Sequence, residues 1–73
     1  MKISASKVEE IVQSGANVSI NAGRVKPETT ERIVKTAAES GAEVVVRNAD
    51  ALSPDTLVKL AKIGGDQVTL ELD

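Results

Sequence analysis

The sequence contains no cysteine, histidine, phenylalanine, tyrosine or tryptophan, and only two of its 73 residues are proline. Without cysteine there are no disulfides, thiolate zinc sites or thiol nucleophiles, so the usual staples of a small domain are missing. Without histidine no side chain has an ordinary pKa near neutrality, and imidazole acid-base chemistry is excluded. Without aromatic rings there is no platform on which bases could stack. Nine basic and eleven acidic residues give a net charge of −2, and no block of one sign is longer than Glu9-Glu10, so nucleic acid is not an expected partner. Long apolar runs are missing too. The first residues, Met1-Lys2-Ile3-Ser4-Ala5-Ser6-Lys7, do not form one, and the expectation is a cytoplasmic chain with neither a secretory signal nor a membrane contact.

This length leaves room for one domain, residues 1–73, with one core. So short a chain buries only about 60 to 65% of its unfolded surface, and modest stability follows. Self-association is the staple that remains.

What is present is a repeat. Gly15-Ala16-Asn17-Val18-Ser19-Ile20, Gly41-Ala42-Glu43-Val44-Val45-Val46 and Gly65-Asp66-Gln67-Val68-Thr69-Leu70 share the pattern Gly-x-x-Val-x-aliphatic. The three units run over about residues 4–22, 23–48 and 49–73. A second match joins Asn21-Ala22 and Pro27-Glu28-Thr29 to Asn48-Ala49 and Pro54-Asp55-Thr56. The glycine frame steps 26 residues from Gly15 to Gly41, whereas the asparagine frame steps 27 from Asn21 to Asn48. One extra residue must therefore be absorbed near Arg47, by a bulge or a longer turn.

Helix signals stand between the repeats. Ser53-Pro54-Asp55 combines a capping hydroxyl, a proline suited to the first helical position and an acid in the first turn, with Leu52 placed to staple onto Leu57. That helix is expected over about Pro54 to Ile63. Pro27 opens another behind Lys26, a poor cap, and Thr30, Ile33, Val34, Ala37 and Ala38 recur on one face until Ser40-Gly41. For the first and shortest helix, Ser6 with Glu9 fits a capping box, Val8, Ile11 and Val12 form the apolar side, and Gly15 is the stop.

The strands alternate. Val18, Ile20 and Ala22, then Val44 and Val46, then Val68, Leu70 and Leu72 are expected on one side, with Ser19 and Asn21, Val45 and Arg47, and Thr69 and Glu71 on the other. A sheet covered by helices on both faces would show near-continuous apolar runs, so one face is expected to stay open. The expected fold is α/β in the order αβαβαβ: a three-stranded parallel sheet, order 1-2-3, with right-handed connections that place every helix on one face. It is a short half-solenoid.

In its repeat length, its Val-x-aliphatic strands, the asparagine after two of them and the helix closing each turn, the chain resembles a leucine-rich-repeat protein. It departs from the usual Leu-x-x-Leu-x-Leu-x-x-Asn pattern: Asn21 and Asn48 follow the last aliphatic by one and two positions, and the third unit has Glu71-Leu72 there. The resemblance implies partner binding on the exposed sheet face and transfers no functional residue.

Two surfaces are candidates. On the open face, Ser19, Val45 and Thr69 should form one lateral row and Asn21, Arg47 and Glu71 the next, with room for an Arg47–Glu71 pair. That surface, with the two free edge strands, suits docking of the chain to itself, as a homodimer across an edge or a higher assembly, or to another protein, and Thr69-Leu70-Glu71-Leu72 is open to strand addition. The alternative is a small anion or phosphate ligand held by Asn21, Gly23, Arg24 and Lys26 in the loop before the second helix. That loop lacks the G-x-G-x-x-G and Walker spacings. The acidic pairs Glu9 with Glu10, Asp50 with Asp55 and Glu71 with Asp73 fall on helix faces, a turn and the tail, where solubility and helix-dipole complement explain them. No catalytic residue, metal site or cofactor is expected, and the chain is read as a non-enzyme.

Overall fold

A computed structural model describes residues 3–72. The elements follow as α1 (Ala5–Gln13), β1 (Val18–Asn21), α2 (Pro27–Ser40), β2 (Val44–Arg47), α3 (Pro54–Gly64) and β3 (Val68–Leu70), with short 3₁₀ turns at Ala49–Ala51 and Gly65–Gln67. The strands are parallel in the order β1-β2-β3.

Local signals set the helix ends. Ser53 caps α3 by accepting the Thr56 N–H at 3.2 Å, and Lys26 gives α2 no side-chain cap. Gly41 ends α2 in the left-handed region, φ 82°, from which both its own N–H and that of Ala42 reach the Ala37 carbonyl. The first helix begins earlier than expected. Ser4, rather than Ser6, is its N-cap and accepts the Lys7 N–H at 3.3 Å. Starting one position after Ser4 lets Ser6 join the helix, and Glu9, freed from any capping box, pairs with Arg32 of α2 at 2.8 Å.

Register follows the glycine frame: Val18, Val44 and Val68 stand in line, as do Ser19, Val45 and Thr69. The extra residue is absorbed where the frames diverge. Glu71 donates its N–H to the Val46 carbonyl and accepts from the Ala49 N–H, so both Arg47 and Asn48 stand opposite this one residue. Asn48 takes φ 57°, a left-handed conformation that asparagine tolerates better than most residues.

One core joins the elements. Ile20, Val44 and Val46 of the strands cluster with Val8 and Val12 of α1, Ile33, Val34 and Ala37 of α2, and Leu60 of α3. Ser19 and Thr69 point the opposite way and are exposed, while Val45 between them is half-buried. The core-facing positions therefore alternate as expected except at the end. Leu72 is 54% exposed, because past Glu71 the chain has left the ladder and β2 has already turned away through Asn48.

The units are also tied at the residue before each strand, a role that sequence reasoning missed. Asn17 accepts the Glu43 N–H at 2.9 Å, and Gln67 donates to the carbonyls of Ala37 and Ala42 at 3.2 and 3.0 Å. Its signal was the variable position before valine in Gly-x-x-Val, which holds an amide in the first and third units.

Candidate functional site

Among the described residues two sheet edges lack a neighbouring strand, one on β1 and one on β3. In a parallel ladder, successive residues turn their backbone groups to alternate sides. Val18 donates to the Glu43 carbonyl and Ala22 to the Arg47 carbonyl, so these residues face β2. The intervening Ser19 and Asn21 turn their N–H groups to the open side.

Beside this edge lies a cleft of about 280 Å³, lined by Ser19, Ile20, Asn21, Arg24, Val25 and Arg47. The loop after β1 builds it. Asn21 accepts the Gly23 N–H on its side-chain oxygen at 2.9 Å and the Arg24 N–H on its carbonyl at 3.0 Å, which folds the chain back tightly. Val25 is then buried, and Arg24 is left exposed at the rim. Asn48 donates to the same Asn21 side-chain oxygen at 3.4 Å, so the two asparagines of the repeat meet. A Cβ on Gly23 would lie 2.7 Å from the Asn48 amide nitrogen, so a side chain there would push the end of the Asn48 side chain away from Asn21.

The cleft thus brings together residues from both candidate surfaces: Ser19, Asn21 and Arg47 of the sheet face, and Arg24 of the loop. Lys26 is exposed nearby in sequence but does not line it, and Val45, Thr69 and Glu71 lie farther along the sheet rows. Arg24 and Arg47 enter no ion pair among the described residues, and the expected Arg47–Glu71 pair is not formed. The bulge explains this, because Glu71 stands across from two residues instead of one. Sequence reasoning placed Arg24 and Arg47 in separate sites. Only the backward fold of the loop joins them.

For a small anion the loop offers less than its composition suggests. The N–H groups of Gly23 and Arg24 are already spent on Asn21, Pro27 has none, and the cationic side chains remain. Among the described residues no cluster of three or more acidic, histidine or cysteine side chains is placed to hold a metal. Asp73, of the third acidic pair, lies outside them. A second hollow, lined by Glu28, Glu31, Arg32, Lys35 and Ile63, carries charges of both signs, and Glu31 and Arg32 are paired to Lys59 and Glu9. No helix is long and apolar enough to cross a membrane among the described residues.

Fold and site together define a small α/β domain with a three-stranded parallel sheet, open at both edges. No family model, curated protein or solved structure shows a significant match to the chain.

Proposed function

We propose that this chain is a non-enzymatic interaction module that docks a partner, itself or another protein, through its open sheet edges and the face carrying Ser19, Val45 and Thr69. The observation that carries this is the free edge of β1, where outward backbone groups run beside a cleft with two uncommitted arginines. Backbone hydrogen bonds would give such an edge its affinity, and Arg47 and Arg24 its selectivity. Thr30 is the buried polar residue of the core, and among the described residues no carboxylate or lysine is buried with it, as proton-transfer chemistry would need. The three units make a half-solenoid similar to a leucine-rich-repeat array, with the helices on the core side and the opposite sheet face left for binding.

The test uses immobilised chain. Ser19→Pro removes an outward N–H without breaking the ladder to β2, and Val45→Lys charges the face. Proteins retained by the wild type, including the chain itself, should be lost by both variants. Equal retention by wild type and variants contradicts the proposal, as does a wild type that retains nothing.

A second reading, a small anion at Asn21, Gly23, Arg24 and Lys26, is favoured by Arg24 and Arg47 sharing one cleft. Titration with inorganic phosphate should then shift the Gly23 and Arg24 amides selectively, and uniform or absent shifts remove it.

A further inference from the structure

The four large apolar side chains that stand exposed among the described residues are Ile3, Ile11, Val58 and Leu72. Ile11 belongs to the first unit, with Ile3 just ahead of it, Val58 and Leu72 belong to the third, and the middle unit has none. Their placement on the helices is informative. On α3 the flank towards α2 carries Lys59, paired with Glu31, and helical spacing turns Pro54 and Ala61 to the opposite flank, with half-buried Leu57 at its core edge and exposed Val58 at its solvent edge. On α1 the flank towards α2 carries Glu9, paired with Arg32, so Ile11 stands on the opposite flank. Each end of the molecule thus presents an open strand edge together with an apolar helix flank. This is the pair of surfaces that neighbouring units cover inside the chain.

Charge distinguishes the two ends. The β1 end has Arg24 and Arg47 on its cleft, and the β3 end has Glu71, whose carboxylate enters no ion pair among the described residues. We infer that the docked partner is a second copy of this chain, joined head to tail, with β3 of one copy extending the parallel sheet beside β1 of the next. This rests on the proposed edge docking and names its occupant. Continuing the observed register would set Val68 of one copy beside Val18 of the next, Leu70 beside Ile20, and Glu71 beside Asn21. The carboxylate would then arrive at the cleft of Arg24 and Arg47, where charge-assisted hydrogen bonds can form. The apolar flank of α3 would meet Ile11 of the next α1, as α2 meets both helices within the chain. Two-fold pairing is disfavoured by the same charges: joining two β1 edges gathers four arginines, and joining two β3 edges opposes two glutamates. A head-to-tail contact leaves both outer ends open, so assembly does not stop at two copies.

Sedimentation equilibrium of the wild type, E71K and the double variant R24E/R47E tests this, with circular dichroism to show that each chain is folded. All three altered side chains are exposed. The wild type should grow past a dimer as concentration rises and dissociate as salt is added. Each variant alone should associate at least about tenfold more weakly, because like charges then face each other. An equimolar mixture of the two variants should regain association, since each reversed edge now meets an edge of opposite sign. A wild type that halts at a dimer, or variants that associate as well as it does, overturn the head-to-tail arrangement while leaving edge docking standing. A wild type that stays monomeric overturns it as well, and retention of another protein by the immobilised chain, lost in Ser19→Pro, then separates this failure from that of the interaction module itself.

Discussion

The middle unit and the two outer units share one sequence frame but occupy different surroundings. Val44 and Val46 of β2 are 1% and 0% exposed, with a strand on each side, whereas of the matching residues in β1 and β3 only Ile20 is buried, and Val18, Val68 and Leu70 are partly buried. The helices differ likewise: α2 has 14 residues between two neighbouring helices, and α1 and α3 have 9 and 11 with one open flank each. The lesson is that neighbours, more than the motif, decide how much of a unit is buried. In repeat architectures the stability of each unit depends on the interfaces it makes, and uncapped ends remain adhesive.

The comparison is sharpest in a pair of identical substitutions. Ile33→Ala, at a fully buried position of α2, should cost about 2–5 kcal/mol, and Ile11→Ala, on the open flank of α1, should stay within about 0.5 kcal/mol, both measured by urea unfolding of the monomer. Equal losses would erase the distinction between middle and end. Gly64→Ala comes next. At the end of α3 a Cβ would lie 2.8 Å from Val68 and 2.9 Å from Val34, so the third unit is pressed against the second at this point. The substitution should destabilise by about 1–3 kcal/mol although alanine is the better helix former, and a gain in melting temperature would show that this contact is loose.

Capping offers a smaller effect of opposite sign in the two helices. Ser53→Ala removes the cap of α3 and should cost about 1 kcal/mol, whereas Lys26→Ser supplies the cap that α2 lacks and should add about 0.5–1 kcal/mol, both read from thermal unfolding. Smallest is the tie between α1 and α2. Arg32 is 65% exposed, so Arg32→Ala should cost no more than about 1 kcal/mol, less at high salt, and a larger loss would mean that the first unit is held by charge instead of by packing.

Much of this arrangement was written in residues close together in sequence. Pro27 and Ser53-Pro54 marked helix starts, Gly41 marked a stop, Val-x-aliphatic alternation marked the strands, and the mismatch between the glycine and asparagine frames located the bulge opposite Glu71. What stayed hidden depended on competition or distance. Ser4 and Ser6 offer the same hydroxyl, and local pattern did not choose between them. Leu72 continues the alternation, yet its burial needed a ladder that β2 does not extend that far. The candidate site was legible as two lists, the sheet row and the loop, but not as one cleft. The turn that joins them is made by one Asn21 side chain serving both Gly23 and Asn48, a contact that spans 27 residues of chain.

The central claim, that the outer edges are unfinished and complete each other, is tested most directly by amide hydrogen exchange at Ser19 and Asn21. In dilute solution both amides should exchange freely while the β2 amides are protected, and raising the concentration about a hundredfold should slow Ser19 and Asn21 by mass action without altering β2. Exchange at these two amides that does not change with concentration, or that is as slow as β2 when dilute, would contradict it.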